Sequence, residues 1–154
     1  MFLLVNYINI KNNLIKIVEK FYFDTSIWLD FFEDRDEPNL PKGRWAQELI
    51  NKIIKSDSKI LYSDNNIIEL NVAGYNIYEI EMMFIKLKPI LIFVESTEKE
   101  SGKAKDLALR RNIPKRDALH ALIARDNRAT LVTLDQHFKK LLDITKPNRP
   151  QDLI

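Results

Sequence analysis

Four acidic side chains stand where a folded chain could gather them around one divalent cation. Asp24 ends the apolar run Phe21-Tyr22-Phe23 and precedes Thr25 and Ser26, and Glu69 lies six residues beyond Ser63, the end of the strand-like stretch KILYS. Asp117 opens the helical stretch DALHALIARDN, and Asp135 follows LVTL ahead of Gln136-His137-Phe138. Hard cations take oxygen ligands and need concentrated negative charge, which converging carboxylates supply. The chemistry this spacing predicts is metal-dependent hydrolysis.

Each acid also has an ordinary explanation. A charge directly after three aromatic residues on a buried strand is costly unless the strand end opens into a polar site, but Asp24 could simply cap the next helix. Asp117 precedes a wide apolar face of Ala118, Leu119, Ala121, Leu122 and Ile123, although a carboxylate is also favoured there by the helix dipole. Asp135 could cap the short helix carrying Phe138, and Glu69 could be solvated or paired one turn away. Asp64 follows the same strand and competes with Glu69, but reads well as an N-cap before Asn65 and Asn66. Asp126, nine positions past Asp117, falls about 180° around the helix and is expected at the surface. The acids Asp30, Glu33, Asp34, Asp36 and Glu37 read as a charged helix end running into a loop. His120 shares the helical face of Asp117 and could bond a site carboxylate, with a core or interface histidine as the favoured reading; His137 is the weaker candidate.

The elements that must position these acids alternate in kind. Short β-rich runs at 21–23, 59–63, 89–94 and 129–133 are separated by helical patterns at Ile27 to Phe32, Arg44 to Lys55, Asn65 to Lys86 with a break near Gly74, Glu98 to Arg111, Lys115 to Asn127 and Gln136 to Leu142. That alternation predicts a parallel sheet with crossover helices, and in such sheets sites form beyond the carboxyl ends of the strands. Pro114 suits a helix start, where its missing N–H has no partner to lose. Before the first strand, Leu14, Ile17, Val18 and Phe21 follow a 3.6-residue period opposite Lys11, Lys16, Glu19 and Lys20. This predicts an N-terminal extension over 1–20, helix or strand, packed on the domain or on a second subunit, with the domain proper over 21–154.

Composition bounds the rest. A chain of 154 residues fits one domain, with 45% hydrophobic and 30% charged residues and only three glycines, which argues against disorder. With no cysteine, disulfides, zinc–thiolate sites and cysteine nucleophiles are excluded, and a cytoplasmic location is the default expectation. The opening Met1 to Val5 lacks a preceding basic residue, and Asn6 and Asn9 break the apolar run, so neither signal peptide nor membrane span is expected. A formal net charge of +2 does not announce a nucleic-acid partner, but Arg110, Arg111, Lys115 and Arg116 cluster just before Asp117, where a substrate phosphate would need attraction. Trp28, Phe31, Phe32 and Tyr75, with the apolar N-terminus, exceed what one small core is expected to cover and predict a homodimer.

Taken together, Asp24-Thr25-Ser26, Ser63 through Glu69, Arg116-Asp117-Ala118-Leu119-His120-Ala121 and Leu131 through Phe138, with Ala104 and Ala108 in the preceding helix, resemble a PIN domain over about residues 21 to 154. Each motif is short, and their order and spacing carry the likeness. Within the family the likeness is to VapC-type toxins and small single-domain prokaryotic proteins. The resemblance implies a three-layer α/β/α fold with a Rossmann-like parallel sheet, and an RNase site in which Asp24, Glu69, Asp117 and Asp135 hold Mg2+ or Mn2+ while Ser26 and Thr133 offer hydroxyls. It further implies an RNA substrate, products with 5′-phosphate and 3′-hydroxyl ends, and an antitoxin protein for a toxin-type member. The chain departs from the pattern in the residues that precede its first strand. A housekeeping nuclease of RNA processing or turnover is the alternative, and a non-catalytic RNA-binding domain would be expected to lack at least one of the four acids.

Overall fold

The computed structural model describes the backbone of residues 5–10 and 13–154 and the side chains from residue 18 onward. Strands β1 (Val5–Ile10) and β2 (Asn13–Val18) form a separate antiparallel hairpin, with Val5 opposite Val18. The described part of the extension is thus strand rather than helix, and the amphipathic face expected from Leu14 and Ile17 lies outside the described side chains.

The chain then runs through β3 (Lys20–Phe23), α1 (Thr25–Glu33), the two-residue strands β4 (Asp36–Glu37) and β5 (Leu40–Pro41), and α2 (Lys42–Lys55). It continues as β6 (Lys59–Ser63), α3 (Asp64–Val72), α4 (Ile77–Ile85), β7 (Leu91–Val94), α5 (Glu98–Arg111), α6 (Lys115–Asp126), β8 (Thr130–Val132) and β9 (Pro147–Asn148). A five-stranded sheet in the order β7-β6-β3-β8-β9 is parallel throughout. Because side chains alternate along a strand, neighbours feed opposite layers. Phe21, Phe23, Ile60 and Val132 join α1, α2 and α4 in one core, whereas Tyr22, Leu61 and Leu131 join α5 and α6 in the other. The result is the three-layer α/β/α architecture, with the strand order reversing at β3, between β6 and β8.

Local chemistry accounts for where elements start and stop. The helical pattern after β6 divides as expected at Gly74, whose φ of 112° is in the left-handed region, and Asn76 restarts the helix through a capping box with Glu79. Strand β7 begins at Leu91 rather than Pro89, because Lys88–Ile90 forms a 3-10 turn around a proline that cannot donate to a ladder. Residues Gln136–Leu141 are 3-10 rather than α-helical.

Two surface expectations are corrected. Trp28 is fully buried, with ring centroids 5.0 Å from Phe23 and 4.9 Å from Phe84, so it is core and not a dimer residue. Phe31, Phe32 and Tyr75 are partly buried against that core. Exposed apolar side chains include Val72, Ile77, Tyr78, Met82, Ile85 and Phe93 on α3, α4 and the edge strand β7, with others such as Leu109 and Leu142 elsewhere on the surface. Asp30 is also buried rather than solvated, and that burial pushes its carboxyl up to about 6 against the nearby charges of Lys42 and Arg35. Among the described residues no helix is long and apolar enough to cross a membrane.

Candidate metal-binding active site

The carboxyl ends of β3, β6 and β8 lie side by side because these strands are consecutive in the sheet. Asp24 follows β3 and is the N-cap of α1, accepting the backbone N–H of Ile27 at 3.2 Å. Both its roles foreseen from sequence are therefore compatible, since capping uses one oxygen. Ser26 donates to the same Oδ1 at 2.6 Å, while the Thr133 hydroxyl donates to Oδ2. Burial pushes the Asp24 carboxyl above its ordinary range, against the hydrogen bonds from Ser26 and Thr133, the neighbouring His120 and the Ile27 N–H.

Thr133 links this acid to the next. Its Oγ1 accepts the backbone N–H of Asp135 at 3.0 Å. Asp135 caps the 3-10 turn after β8 by accepting the His137 N–H at 2.8 Å. His137 Nδ1 then lies 2.9 Å from Asp117 Oδ2 and 3.1 Å from Asp135 Oδ1. Candidate ligand atoms of Asp117, Asp135 and His137 all fall within 4.8 Å of one another. Burial first, then the charge of Asp135, raises the Asp117 carboxyl to about 6, with His137 and His120 pulling it down and Asp24 adding to the rise.

Glu69 reaches the same end of the sheet from α3 but belongs to a more enclosed network. Its Oε1 accepts the Thr25 hydroxyl at 2.8 Å and is bonded to His120 Nε2. On its other side His120 Nδ1 is 2.6 Å from the Tyr22 hydroxyl, which is itself 2.7 Å from Ser63 Oγ. Asn66 completes the set, donating to Thr25 Oγ1 at 3.0 Å and to the Phe23 carbonyl at 3.2 Å. Burial alone would push the Glu69 carboxyl up. The bond and charge of His120, the Thr25 hydroxyl and the Arg116 charge outweigh it and hold the group below its ordinary range.

The structure therefore brings Asp117 and Asp135 together across His137, ties Asp24 to Asp135 through Thr133, and leaves Glu69 bonded to His120, outside the Asp117–Asp135–His137 cluster. His120 is both the buried core histidine and the partner of a candidate carboxylate. His137, the weaker candidate, sits between two acids, and only its separation of two from Asp135 could have signalled this. Asp64 is not the N-cap: Ser63 caps α3 in a box with Asn66, and the Asp64 carboxylate accepts the Ser96 N–H at 2.8 Å and its hydroxyl at 2.6 Å. Of the basic cluster, Arg110 pairs with Asp106 and Arg111 forks onto Asp143 at 2.6 and 2.9 Å, so these two are committed elsewhere. Arg116 is half-buried beside Glu69, and Lys115 is exposed at the start of α6.

The donor set fits a hard divalent cation. Carboxylate oxygens dominate it, burial and then the charge of Asp135 disfavour ionisation of Asp117 unless a cation compensates, and the His137 ring lies between the two acids. A family model described as PIN domain matches residues 21–142. The chain belongs to the PIN domain family. Two solved structures share the fold of this PIN domain. A chain of the VapBC2 complex of Rickettsia felis, bound to a DNA fragment from its promoter, is 17% identical with a TM-score of 0.60, covering 84% of this chain and 98% of its own. A chain of a toxin–antitoxin complex from Klebsiella pneumoniae is 18% identical with a TM-score of 0.57, covering 84% and 97%. No curated protein matches this PIN domain significantly.

Proposed function

We propose that this PIN domain is a metal-dependent endoribonuclease of the VapC type, acting in the cytoplasm and controlled by an antitoxin. The observation that carries the reading is the proximity of Asp117 and Asp135 at the end of β8, with Asp24 joined to them through Thr133. Asp24, Asp117 and Asp135 would hold Mg2+ or Mn2+, with Glu69 as the fourth acid. When bound, such a cation supplies a Lewis acid that activates water and shields charge developing on a phosphodiester.

The chain's own residues prepare that chemistry. Ser26 and Thr133 fix the two oxygens of Asp24, and the Tyr22–His120 pair orients Glu69 as a hydrogen-bonded support orients a ligand. Arg116 and Lys115 offer the nearby positive charge that draws a phosphate towards an acidic site. Incubating the purified protein with single-stranded RNAs tests the reading. Cleavage to 5′-phosphate ends is expected with Mg2+ or Mn2+ and none with EDTA, and intact RNA under all conditions would refute it.

The fold shared with toxin–antitoxin complexes favours a toxin over a housekeeping nuclease of RNA turnover, and a small antitoxin gene beside this one is the expected discriminator. A non-catalytic RNA-binding role is disfavoured because all four acidic positions are filled. The exposed Ile77, Ile85 and Phe93, which line one apolar pocket with Ile67 between α3, α4 and β7, support a homodimer through that face. Light scattering should give twice the chain mass, and Ile77→Glu with Tyr78→Glu should return it to one; a wild-type mass of one chain at all concentrations defeats the dimer.

A further inference from the structure

We propose that a cleft leading away from Asp135 binds the phosphate backbone of the RNA strand, an inference that rests on the ribonuclease reading above. The cleft encloses ≈ 800 Å3, and its lining includes Thr133 and Asp135 at the candidate site together with Lys42, Lys139, Lys146 and Arg149. These cations come from separate pieces of chain. Lys42 is the first residue of α2, Lys139 lies in the 3-10 turn after β8, and Lys146 and Arg149 flank β9. Convergence from distant positions onto one concave surface differs from a charged run along one helix face, which solvation alone explains.

The four are not equally committed. Arg149 forks onto Asp152 at 2.8 and 3.0 Å, and Lys42 lies 3.2 Å from Glu37. Among the described residues Lys139 and Lys146 have no carboxylate within ion-pair distance, and both are exposed. This contrasts with Arg110 and Arg111 on α5, whose charges are already paired. Lysine ammonium groups act as point charges towards phosphate, and among the described residues no aromatic ring lines the cleft on which a base could stack. Recognition here would therefore be by charge, tolerant of sequence and weakened by salt. A strand held with one phosphate at Asp117 and Asp135 would pass next over this surface, because Asp135 belongs to both.

The test uses the full chain in EDTA, so that bound strand is not cut. Fluorescence anisotropy with mixed-sequence single-stranded RNA, across a salt series, compares wild type with the Lys139→Gln/Lys146→Gln double variant. The variant should bind at least several-fold more weakly, and its slope of log affinity against log salt should be shallower by about 0.7 for each lysine that meets a phosphate. Its melting temperature, and the rise of that temperature on adding Mn2+, should equal those of wild type. Equal RNA affinity and slope in a protein that still cleaves RNA would overturn the cleft and leave the ribonuclease standing. Loss of polyglutamate binding with RNA binding unchanged would also overturn it, assigning the cleft to an acidic peptide. Wild-type protein that neither binds nor cleaves RNA would remove both.

Discussion

Two histidines hydrogen-bond carboxylates of the candidate site, and their surroundings are opposite. His120 is buried with both ring nitrogens engaged, Nδ1 by Tyr22 and Nε2 by Glu69. His137 is half-exposed and divides one nitrogen between Asp117 and Asp135. A buried ring with two fixed partners has one orientation, and leaving either partner unsatisfied would be costly. An exposed ring shared by two acids can leave at the cost of a solvated polar contact, which is worth about 1 kcal/mol or less. The first arrangement suits a post that aims Glu69, the second a cap that a cation displaces.

Removing one acid from the capped pair should have the largest effect. Asp117→Asn keeps the volume and deletes a ligand charge, so metal-dependent RNA cleavage should fall to background. The same change removes a charge that burial, and then repulsion from Asp135, disfavours, so the metal-free protein should melt at a higher temperature at neutral pH. Near wild-type cleavage by this variant, free of contaminating nuclease, would separate Asp117 from the site.

The enclosed side answers to Tyr22→Phe. Loss of the hydroxyl leaves His120 Nδ1 without its partner in a buried setting, while Ser63 Oγ keeps Asn66, a cost of about 1–3 kcal/mol in denaturant unfolding. Because His120 would then be free to turn, Mn2+ affinity measured by calorimetry should weaken by about 10-fold, the lower end for a lost supporting hydrogen bond. A destabilised variant with unchanged Mn2+ affinity would reduce the Tyr22–His120 pair to packing.

How far the sequence foretold this contrast depends on the signal each residue carries. The parallel sheet, its crossover helices and the strand-end positions of Asp24 and Asp135 follow from period and turn chemistry, because these are local. The partner of Glu69 was not local: His120 lies 51 residues away, and only folding α3 against α6 brings them together. Trp28 reads as surplus aromatic area until Phe23 and Phe84 enclose it. The strand β9 at Pro147–Asn148 is two residues long and begins with proline, which leaves no β-pattern to see.

The two sides should also titrate with opposite sign. Asp117 is raised to about 6 in the folded state, so the stability it contributes is fully present below its unfolded value of about 4 and is lost as pH rises through about 6. Asp24, raised by burial, acts in the same direction. Glu69 is lowered, so its contribution is present above its unfolded value of about 4.3 and is lost as pH falls through the lower folded value. With EDTA, Asp117→Asn should gain most over wild type above pH 6, by about 1 kcal/mol once solvent screening is allowed for, and the gain should vanish below pH 4. Glu69→Gln should lose most above its unfolded value and recover in acid. Melts of the three proteins across pH that ran parallel would show that neither carboxylate is perturbed as the structure requires.

The smallest effect is expected at His137. His137→Ala deletes a half-exposed side chain whose one ring contact is with two acids, so metal-free stability should change by about 0.5 kcal/mol or less. The direction in metal is what distinguishes a cap from a ligand. If the imidazole only occupies the space between Asp117 and Asp135 until a cation arrives, its removal leaves every carboxylate ligand in place and ends a competition. The Mn2+-induced rise in melting temperature should then equal or exceed that of wild type. A rise cut to that of Asp117→Asn would make His137 a ligand, and the exposed histidine would be as much a fixed part of the site as the buried one.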